Sequence, residues 1–447
     1  MNRKMILTAA LAVPAVAGAS DKTPVEKPNI LFILVDDLGL GDLSCQYAQD
    51  LRTPNIDRIF ETGVRMDNFY ANSNVSSPTR AAIMTGRFPV MVGVPGVIRT
   101  QQSQNWGYLL PSAITMPQML KKAGYNTALV GKWHLGLEHP NLPNEKGFDY
   151  FQGFLGDMMD DYYTHKREGH DYMYLNDKLI NPKGHATDIF TEWGVGYIEK
   201  QAKKDEPFFL YLAYNAPHSP LQPPVEWLEK VKRRDPSLPE KRARLVALIE
   251  HLDYNVGKVM RSLEDSGQLE NTLVVFVSDN GGDRGSMANN GPTRGAKGDF
   301  FEGGIRVACA INLPGVYEGG VRNGNFMMTM DFLPTFCDML NIPIEHEIDG
   351  ISVLPALNGK EQDTDDRYVF WVRTEGGNNF CGKSQCAVKH GQYKLVQNNP
   401  FDAAETFDLM ADPMEQKPLG QGDRITKDLK RALTGHYNRH RAIPSQK

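Results

Sequence analysis

The chain has 447 residues, 41% of them apolar and 23% charged, with a formal net charge of −5. That balance is globular, and the length exceeds what one small core organises, so one large domain with a smaller companion is expected. The charge gives no general attraction to nucleic acid or anionic lipid; any anion site has to be local.

At the N-terminus, Arg3 and Lys4 precede an apolar run at 5–16 and the small residues Ala17, Gly18 and Ala19, the layout of an export signal. The run is too short to span a bilayer as a stable helix. No Cys follows the cleavage point, and no later stretch is long and apolar enough to insert into a membrane. Residues 1–19 are therefore expected to be removed, leaving a periplasmic or secreted protein that starts near Ser20. There are five cysteines: Cys45, Cys309, Cys337, Cys381 and Cys386. An oxidising compartment permits disulfides, and Cys381 and Cys386 are close enough in sequence to staple a loop. Cys309 and Cys337 lie in apolar runs and read as buried thiols. No spacing suggests a zinc site.

Residues 29–35 are a continuous apolar run of strand length that ends in Asp36 and Asp37. Such a run fits a strand buried on both faces of a parallel sheet, and ligand groups in open α/β sheets sit at the carboxyl ends of strands. Adjacent ionised carboxylates repel unless a cation holds them. A helix is expected from Thr53 to about Thr62, stopped by Gly63, and a strand over 64–70.

The next stretch, 72–89, brings a hydroxyl, a helix start and a cation together. Pro78 suits the first helical position, and residues 81–84 are good helix formers. Ser76 or Ser77 then sits at the helix N-terminus, where an anion is favoured. Arg80 lies about one turn on and can point back to the same spot. Gly86 closes the helix. Taken alone, these residues also fit an ordinary capped helix. Asn74-Val75-Ser76 matches a glycosylation sequon by chance.

Further along, 115–124 reads as a helix and 127–131 as a short buried strand, with Lys132 and His134 at its end. Two residues apart, they face one side if strand geometry persists. Residues 138–190 read as irregular and polar-aromatic, carrying His165, Lys166, Arg167 and His170; such a segment suits one wall of a substrate pocket. Residues 208–214 form another buried strand, followed by His218 on a loop set by prolines. Lys230, Lys232, Arg233 and Arg234 read as a solvated helix face, and 242–263 has helical periodicity. The run 271–278 repeats the pattern of the first strand and ends in Asp279 and Asn280. A glycine-rich segment then carries Lys297, 300–306 returns to a strand, and 329–340 is a helix. After a charged connection at 360–367, short strands are expected at 368–372, 387–390, 393–396 and 406–409, with a basic helix at 426–440.

Alternating strands and helices predict an α/β sandwich. Its chemistry-bearing residues collect at strand ends: Asp36, Asp37, Ser76, Arg80, Lys132, His134, His218, Asp279, Asn280 and Lys297. The order Ser76-x-Pro78-x-Arg80 followed by Thr85-Gly86-Arg87 resembles the signature of the type I sulfatase family in its serine form. Residues 28–39, Gly131-Lys132-Trp133-His134, Pro217-His218, Ser278-Asp279-Asn280-Gly281-Gly282, Ala296-Lys297 and 405–416 resemble the family over nearly the whole chain, in the manner of arylsulfatases and N-acetylgalactosamine sulfatases.

The resemblance implies an alkaline-phosphatase-like α/β/α sandwich at 20–360 and an antiparallel sheet plus helix at 361–447. It implies one calcium ion on Asp36, Asp37, Asp279, Asn280 and residue 76. Ser76 would become formylglycine (3-oxoalanine), made by a serine-type maturase before export. By the same resemblance Arg80, Lys132 and Lys297 offset charge on the sulfuryl group, His134 assists the aldehyde hydrate, and His218 is the first choice of general acid. One family feature, a small hydroxyl residue after Gly147-Phe-Asp-Tyr-Phe151, is replaced by the segment 157–161. A sulfated carbohydrate of mucin or glycosaminoglycan type is the expected substrate, carrying galactose or N-acetylhexosamine, with His165, Lys166, Arg167, His170, Arg373, Glu375 and Asn379 as sugar contacts. The alternatives are a phosphatase or phosphodiesterase of the same fold and a non-catalytic sulfated-glycan-binding protein. The first usually needs a His-rich two-zinc site, whereas Asp and Asn ligands favour one hard cation.

Overall fold

The computed structural model describes residues 27–105, 107–376 and 380–441. Residues 1–19, expected to be an export signal, and Asn379 lie outside these residues. The fold is the expected α/β sandwich, organised around β1 (Asn29–Asp36). The other strands of its sheet are β2 (Val64–Met66), β3 (Asn126–Lys132), β4 (Tyr150–Phe154), β5 (Met173–Leu175), β6 (Lys178–Leu179), β7 (Phe208–Pro217), β8 (Thr272–Ser278), β9 (Cys309–Asn312) and β10 (Val321–Asn323). Among the described residues they form a ten-stranded sheet ordered β10-β2-β9-β8-β1-β7-β3-β4-β5-β6. The pairs β8–β1, β1–β7, β7–β3 and β3–β4 are parallel, so all these strands end at one edge. Register slips between Leu34 and Asp36, where Asp36 falls opposite Pro217. His218 follows Pro217 directly, so it leaves the sheet beside Asp36.

Alternation along β1 explains the layers. Ile30, Phe32 and Leu34 pack with α2 (Ser76–Thr85), α3 (Met116–Lys122) and α7 (Phe332–Met339). Leu31, Ile33 and Val35 face α1 (Pro54–Thr62), α4 (Ala186–Gln201), α5 (Val225–Arg234) and α6 (Glu240–Asp265). A continuous apolar run is what a strand buried on both faces requires. Among the described residues, no helix is long and apolar enough to cross a membrane.

A second, antiparallel sheet follows in sequential order: β11 (Val369–Thr374), β12 (Ser384–His390), β13 (Tyr393–Gln397) and β14 (Glu405–Asp408), covered by α8 (Arg424–His440). It shares a core with Tyr70, Ala82, Phe88, Phe300 and Met328 of the larger sandwich. At its centre Lys394, fully buried, pairs with Glu302 at 2.6 Å and Glu415 at 2.8 Å.

Several expectations are corrected. Residues 138–190 are not irregular: β4, β5, β6, a two-residue hairpin and the start of α4 lie within them. Strands of two to five residues are too short for periodicity to show. Residues 300–306 do not return to a strand; Glu302–Ile305 is a single helical turn. There Gly303 and Gly304 lie so close to the backbone of Arg294, Gly295, Ala296 and Asp299 that no side chain fits. The unforeseen strand β9 follows instead. No disulfide joins Cys381 and Cys386, because Cys386 faces the core from β12 while Cys381 is exposed. Cys309 and Cys337 are buried, as expected. Asn74 is fully buried, consistent with a chance sequon. The basic run lies on α5, with Arg234 paired to Glu250 at 2.6 Å.

In α8, His436 lies flat on Phe370 with ring centroids 4.3 Å apart and meets Phe88 edge-on at 5.1 Å. Neither ring nitrogen has a hydrogen-bond partner among the described residues, and burial with Arg439 nearby lowers its pKa from 6.5 to about 4. The unfolded chain binds the proton more readily, so stability is full above about pH 6.5, falls as pH drops from there toward about 4, and loses no more below that. His436→Phe is expected to flatten this acid loss, by up to about 3 kcal/mol. Urea unfolding followed between pH 7 and pH 4 checks it.

Candidate active site

The site is built at the carboxyl edge of the large sheet. β1 ends in Asp36, fully buried, and Asp37 follows with a left-handed φ of 66°. The turn costs about 1 kcal/mol for a residue with a Cβ, and it aims both carboxylates at the same space. β8 runs parallel to β1 and ends in Asp279 and Asn280. Ser278 Oγ joins the two strand ends, accepting the Leu38 N–H at 3.1 Å and donating to the Asn280 carbonyl at 2.9 Å. Asp279 Oδ1 accepts the Asp37 N–H at 3.2 Å, and Asn280 Nδ2 donates to Asp37 Oδ1 at 2.8 Å.

The start of α2 faces this cluster. Ser76 Oγ lies 3.0 Å from Asp36 Oδ1 and 3.4 Å from Asn280 Oδ1. Ser77 instead accepts the Ile98 N–H at 3.0 Å. The structure thereby separates the two serines: Ser76 faces the carboxylates and Ser77 fastens a loop. Gly86, at φ 65°, ends the helix with its N–H on the Ala82 carbonyl.

Cations surround the carboxylates. Arg80, 1% exposed, donates to Asp279 Oδ2 from Nε at 3.2 Å and Nη2 at 2.9 Å, and to the Lys132 carbonyl at 3.1 Å. Lys132 Nζ is 2.5 Å from Asp36 Oδ2. Lys297 Nζ donates to Asp37 Oδ2 at 2.7 Å and to His218 Nε2 at 3.0 Å. Burial alone would raise the Asp36 pKa, but Lys132, His218, Arg80 and Lys297 outweigh it and hold the carboxyl well below its ordinary range. Burial and the charge of Asp36 push Asp279 up.

Two histidines border the cluster, each with one ring nitrogen on a backbone carbonyl. His134 has a left-handed φ of 62°, so strand geometry does not persist past Lys132 and the two side chains diverge. His134 Nε2 meets the Ile98 carbonyl at 2.9 Å and therefore carries the proton, while Nδ1 has no partner among the described residues. Burial, Lys132 and Arg80 keep the ring neutral. His218 Nδ1 donates to the Ser219 carbonyl at 2.6 Å, leaving Nε2 toward Lys297.

The donor set fits a hard divalent cation. Asp36 and Asn280 both present an oxygen to one atom of Ser76, and Asp37 and Asp279 complete an oxygen-rich cluster. Calcium prefers carboxylate and amide oxygens. A ligand oxygen of Asp36, one of Asp37 and a nitrogen of His218 also lie within 4.8 Å of one another.

The residues expected to contact sugar are dispersed. His165 is buried with Nε2 on the Gly184 carbonyl at 3.0 Å, so in this arrangement it faces the protein, not the pocket. Lys166 and His170 are exposed in a hairpin. Arg167 clasps Asp157 at 2.9 Å, in the segment that replaces the family's hydroxyl. Glu375 holds Arg373 at 2.5 Å and Arg99 at 2.8 Å. Arg373 lies close to Gly298, next to Lys297, and Arg99 follows Ile98, which anchors His134. Arg99 has no signal in the sequence; it belongs to the wall only because the chain folds back there. Tyr162, whose hydroxyl donates to the His218 carbonyl at 2.8 Å, was visible only as one aromatic among several.

The profile of the Sulfatase family matches residues 28–342. The chain belongs to the sulfatase family. A second profile, described as N-sulphoglucosamine sulphohydrolase, C-terminal, matches residues 297–442 of this sulfatase. It is 30% identical to the N-acetylgalactosamine-6-sulfatase of Canis lupus familiaris, over 86% of this chain and 74% of that protein. It is also 30% identical to a sulfatase of Formosa agariphila, over 96% and 92% of the two chains. The crystal structure of Ps i-CgsB in complex with k-i-k-neocarrahexaose superposes with a TM-score of 0.85 at 29% identity, covering 93% of each chain. The protein is thus a sulfuric ester hydrolase on an alkaline-phosphatase-like fold.

Removing the Ser278 hydroxyl leaves a buried N–H and a buried carbonyl without their bridge. Ser278→Ala is expected to lower stability by about 1–3 kcal/mol and to weaken cation binding, because the backbones at Leu38 and Asn280, next to Asp37 and Asp279, lose their common tether. Urea unfolding and calcium titration of the variant check it.

Proposed function

We propose that this sulfatase removes sulfate esters from a carbohydrate outside the cytoplasm, with residue 76 converted from serine to formylglycine by a partner maturase. One calcium ion would be held by Asp36, Asp37, Asp279, Asn280 and residue 76. The observation that carries the reading is the seating of Ser76 Oγ against Asp36 and Asn280, inside the ring of Arg80, Lys132 and Lys297. An N-acetylgalactosamine-6-sulfatase among the relatives and a neocarrahexaose-bound structural neighbour support a sulfated saccharide of galactose or N-acetylhexosamine type.

A plain serine would be left as a stable sulfate ester. Calcium, when bound, would withdraw charge from residue 76 and from a sulfate oxygen, and the hydrated aldehyde would offer paired hydroxyls on one carbon. The chain's own groups do the rest. Arg80, Lys132 and Lys297 offset charge around the sulfuryl oxygens. Neutral His134, with its basic Nδ1 available, takes a proton from residue 76. His218 serves the leaving oxygen: its Nδ1–H is tied to the Ser219 carbonyl, so a proton taken up at Nε2 is the one passed to the departing sugar, while Lys297 beside it keeps its charge.

Peptide mass analysis of protein co-expressed with a serine-type maturase is expected to show residue 76 lacking two hydrogens, in step with sulfate release from a panel of defined sulfated sugars. Full turnover by a chain with an unmodified serine would overturn the mechanism. Ser76→Ala is expected to lose roughly 10³-fold or more in kcat.

The sugar-side residues give a separate check. Alanine at Lys166, Arg167, His170, Arg373 or Glu375 is expected to lower turnover of a sulfated saccharide while sparing a small aryl sulfate. Equal losses on both substrates would remove these side chains from sugar binding.

A further inference from the structure

Behind the loop that carries His218 lies another group of ligand-type side chains, which the sulfatase reaction does not use. His185 is the N-cap of α4, Asp188 sits in the first turn of α4, and His251 comes from α6, which packs alongside. One nitrogen of each imidazole and one Asp188 oxygen lie within 4.8 Å of one another. His185 and His251 are 3% and 2% exposed, whereas the Asp188 side chain is 32% exposed and opens the group to solvent.

Hydrogen bonds hold His185 as a metal ligand is held. His185 Nε2 lies 3.0 Å from the Gln222 carbonyl, so it carries the proton and Nδ1 carries the lone pair. That lone pair meets only the Thr187 N–H, at 3.2 Å. A histidine ligand commonly gives one ring N–H to a backbone carbonyl and turns its other nitrogen to the ion. His251 Nε2 donates to Asp188 Oδ1 at 2.9 Å, while its buried Nδ1 has no partner among the described residues. Shifting that proton to Nδ1 displaces no bond there and leaves Nε2 as a lone-pair donor beside the carboxylate. Burial keeps His185 neutral, with its pKa near 4. Burial would raise Asp188, but the hydrogen bond and charge of His251 outweigh it and hold the carboxyl at about 2.

We propose that His185, Asp188 and His251 form an accessory site for a single divalent transition ion of the zinc class. Imidazoles with one carboxylate suit zinc, cobalt or nickel, in contrast to the oxygen-rich cluster at Asp36 and Asn280. Asp188 is the solvent-facing member of the group, and exposed Tyr163 meets His185 edge-on with ring centroids 5.2 Å apart. The ion would brace the catalytic wall. Tyr162 stacks on His185 with ring centroids 4.9 Å apart, and its hydroxyl donates to the His218 carbonyl at 2.8 Å. Gln222, whose carbonyl orients His185, also accepts the Tyr162 N–H through its side chain at 2.8 Å.

The test is a Co²⁺ titration of the full-length, calcium-saturated protein, read by visible absorption, with no need for maturation at residue 76. The expected result is one equivalent of Co²⁺ giving ligand-field bands of nitrogen coordination, displaced by Zn²⁺. Zn²⁺ is also expected to raise the melting temperature by mass action. His251→Gln retains an N–H for Asp188 and Asp188→Asn retains its shape. Each is expected to weaken Co²⁺ binding about tenfold or more and to abolish the Zn²⁺ shift, measured against that variant's own metal-free melting temperature. No such bands in the wild-type protein, or bands of equal strength in both variants, would overturn the site and leave the His251–Asp188 contact as helix packing alone. Should a variant fail to fold, the wild-type titration still decides.

Discussion

The structure depends on a balance of buried charge at the carboxyl edge of its sheet. Asp36, Asp37 and Asp279 are brought together as buried side chains, and Arg80, Lys132 and Lys297 are brought in to meet them. At separations near 3 Å such pairs interact by several kcal/mol even at an effective dielectric of about 20. Removing one partner leaves a buried charge uncompensated, at about 3–5 kcal/mol. The same balance keeps Asp36 ionised, as the proposed cation site requires, and gathers positive charge around the carboxylates that Ser76 faces. Stability and reactivity therefore share one set of residues.

Topology makes that balance possible. β1 lies between β7 and β8, all parallel, so Asp36, Asp279 and the approach to His218 leave the sheet side by side. Left-handed backbone at Asp37 and His134 then bends the chain where a strand would carry it away. The C-terminal sheet closes the arrangement from outside. Gln385 donates to the Gly298 carbonyl at 3.0 Å and accepts from Asn74, tying the segments that carry Lys297 and Ser76 to β12. Glu375 of the same unit, paired with Arg373, holds Arg99 across the rim. A saccharide reaching residue 76 would pass between parts of the chain far apart in sequence.

Much of the fold was legible beforehand because its signals are local. The apolar runs that became β1, β3, β7 and β8 are unbroken and end in functional side chains, as strands buried on both faces must. The helix over 242–263 announced itself by period and was found as Glu240–Asp265. The order Ser76-x-Pro78-x-Arg80 pointed to a helix start with a hydroxyl and a cation. The strands β4, β5 and β6 left little trace, since pieces so short owe their pairing to the neighbouring strand. The turn at Glu302–Ile305 escaped for another reason: close backbone contact at Gly303 and Gly304, not side-chain pattern, sets it.

By itself the amino-acid order determined the alternation of strands and helices, the residues at the strand ends, and the hard-oxygen character of their ligands. These follow from hydrophobic period and side-chain chemistry, both readable along one line. Only the tertiary structure decided that Ser76, rather than Ser77, faces Asp36. It alone made His134 diverge from Lys132, buried His165 against a carbonyl, kept Cys381 and Cys386 apart, and set Arg99 beside Glu375. Each of those outcomes rests on a dihedral angle or a contact between distant segments, and neither is encoded in any single stretch of the chain.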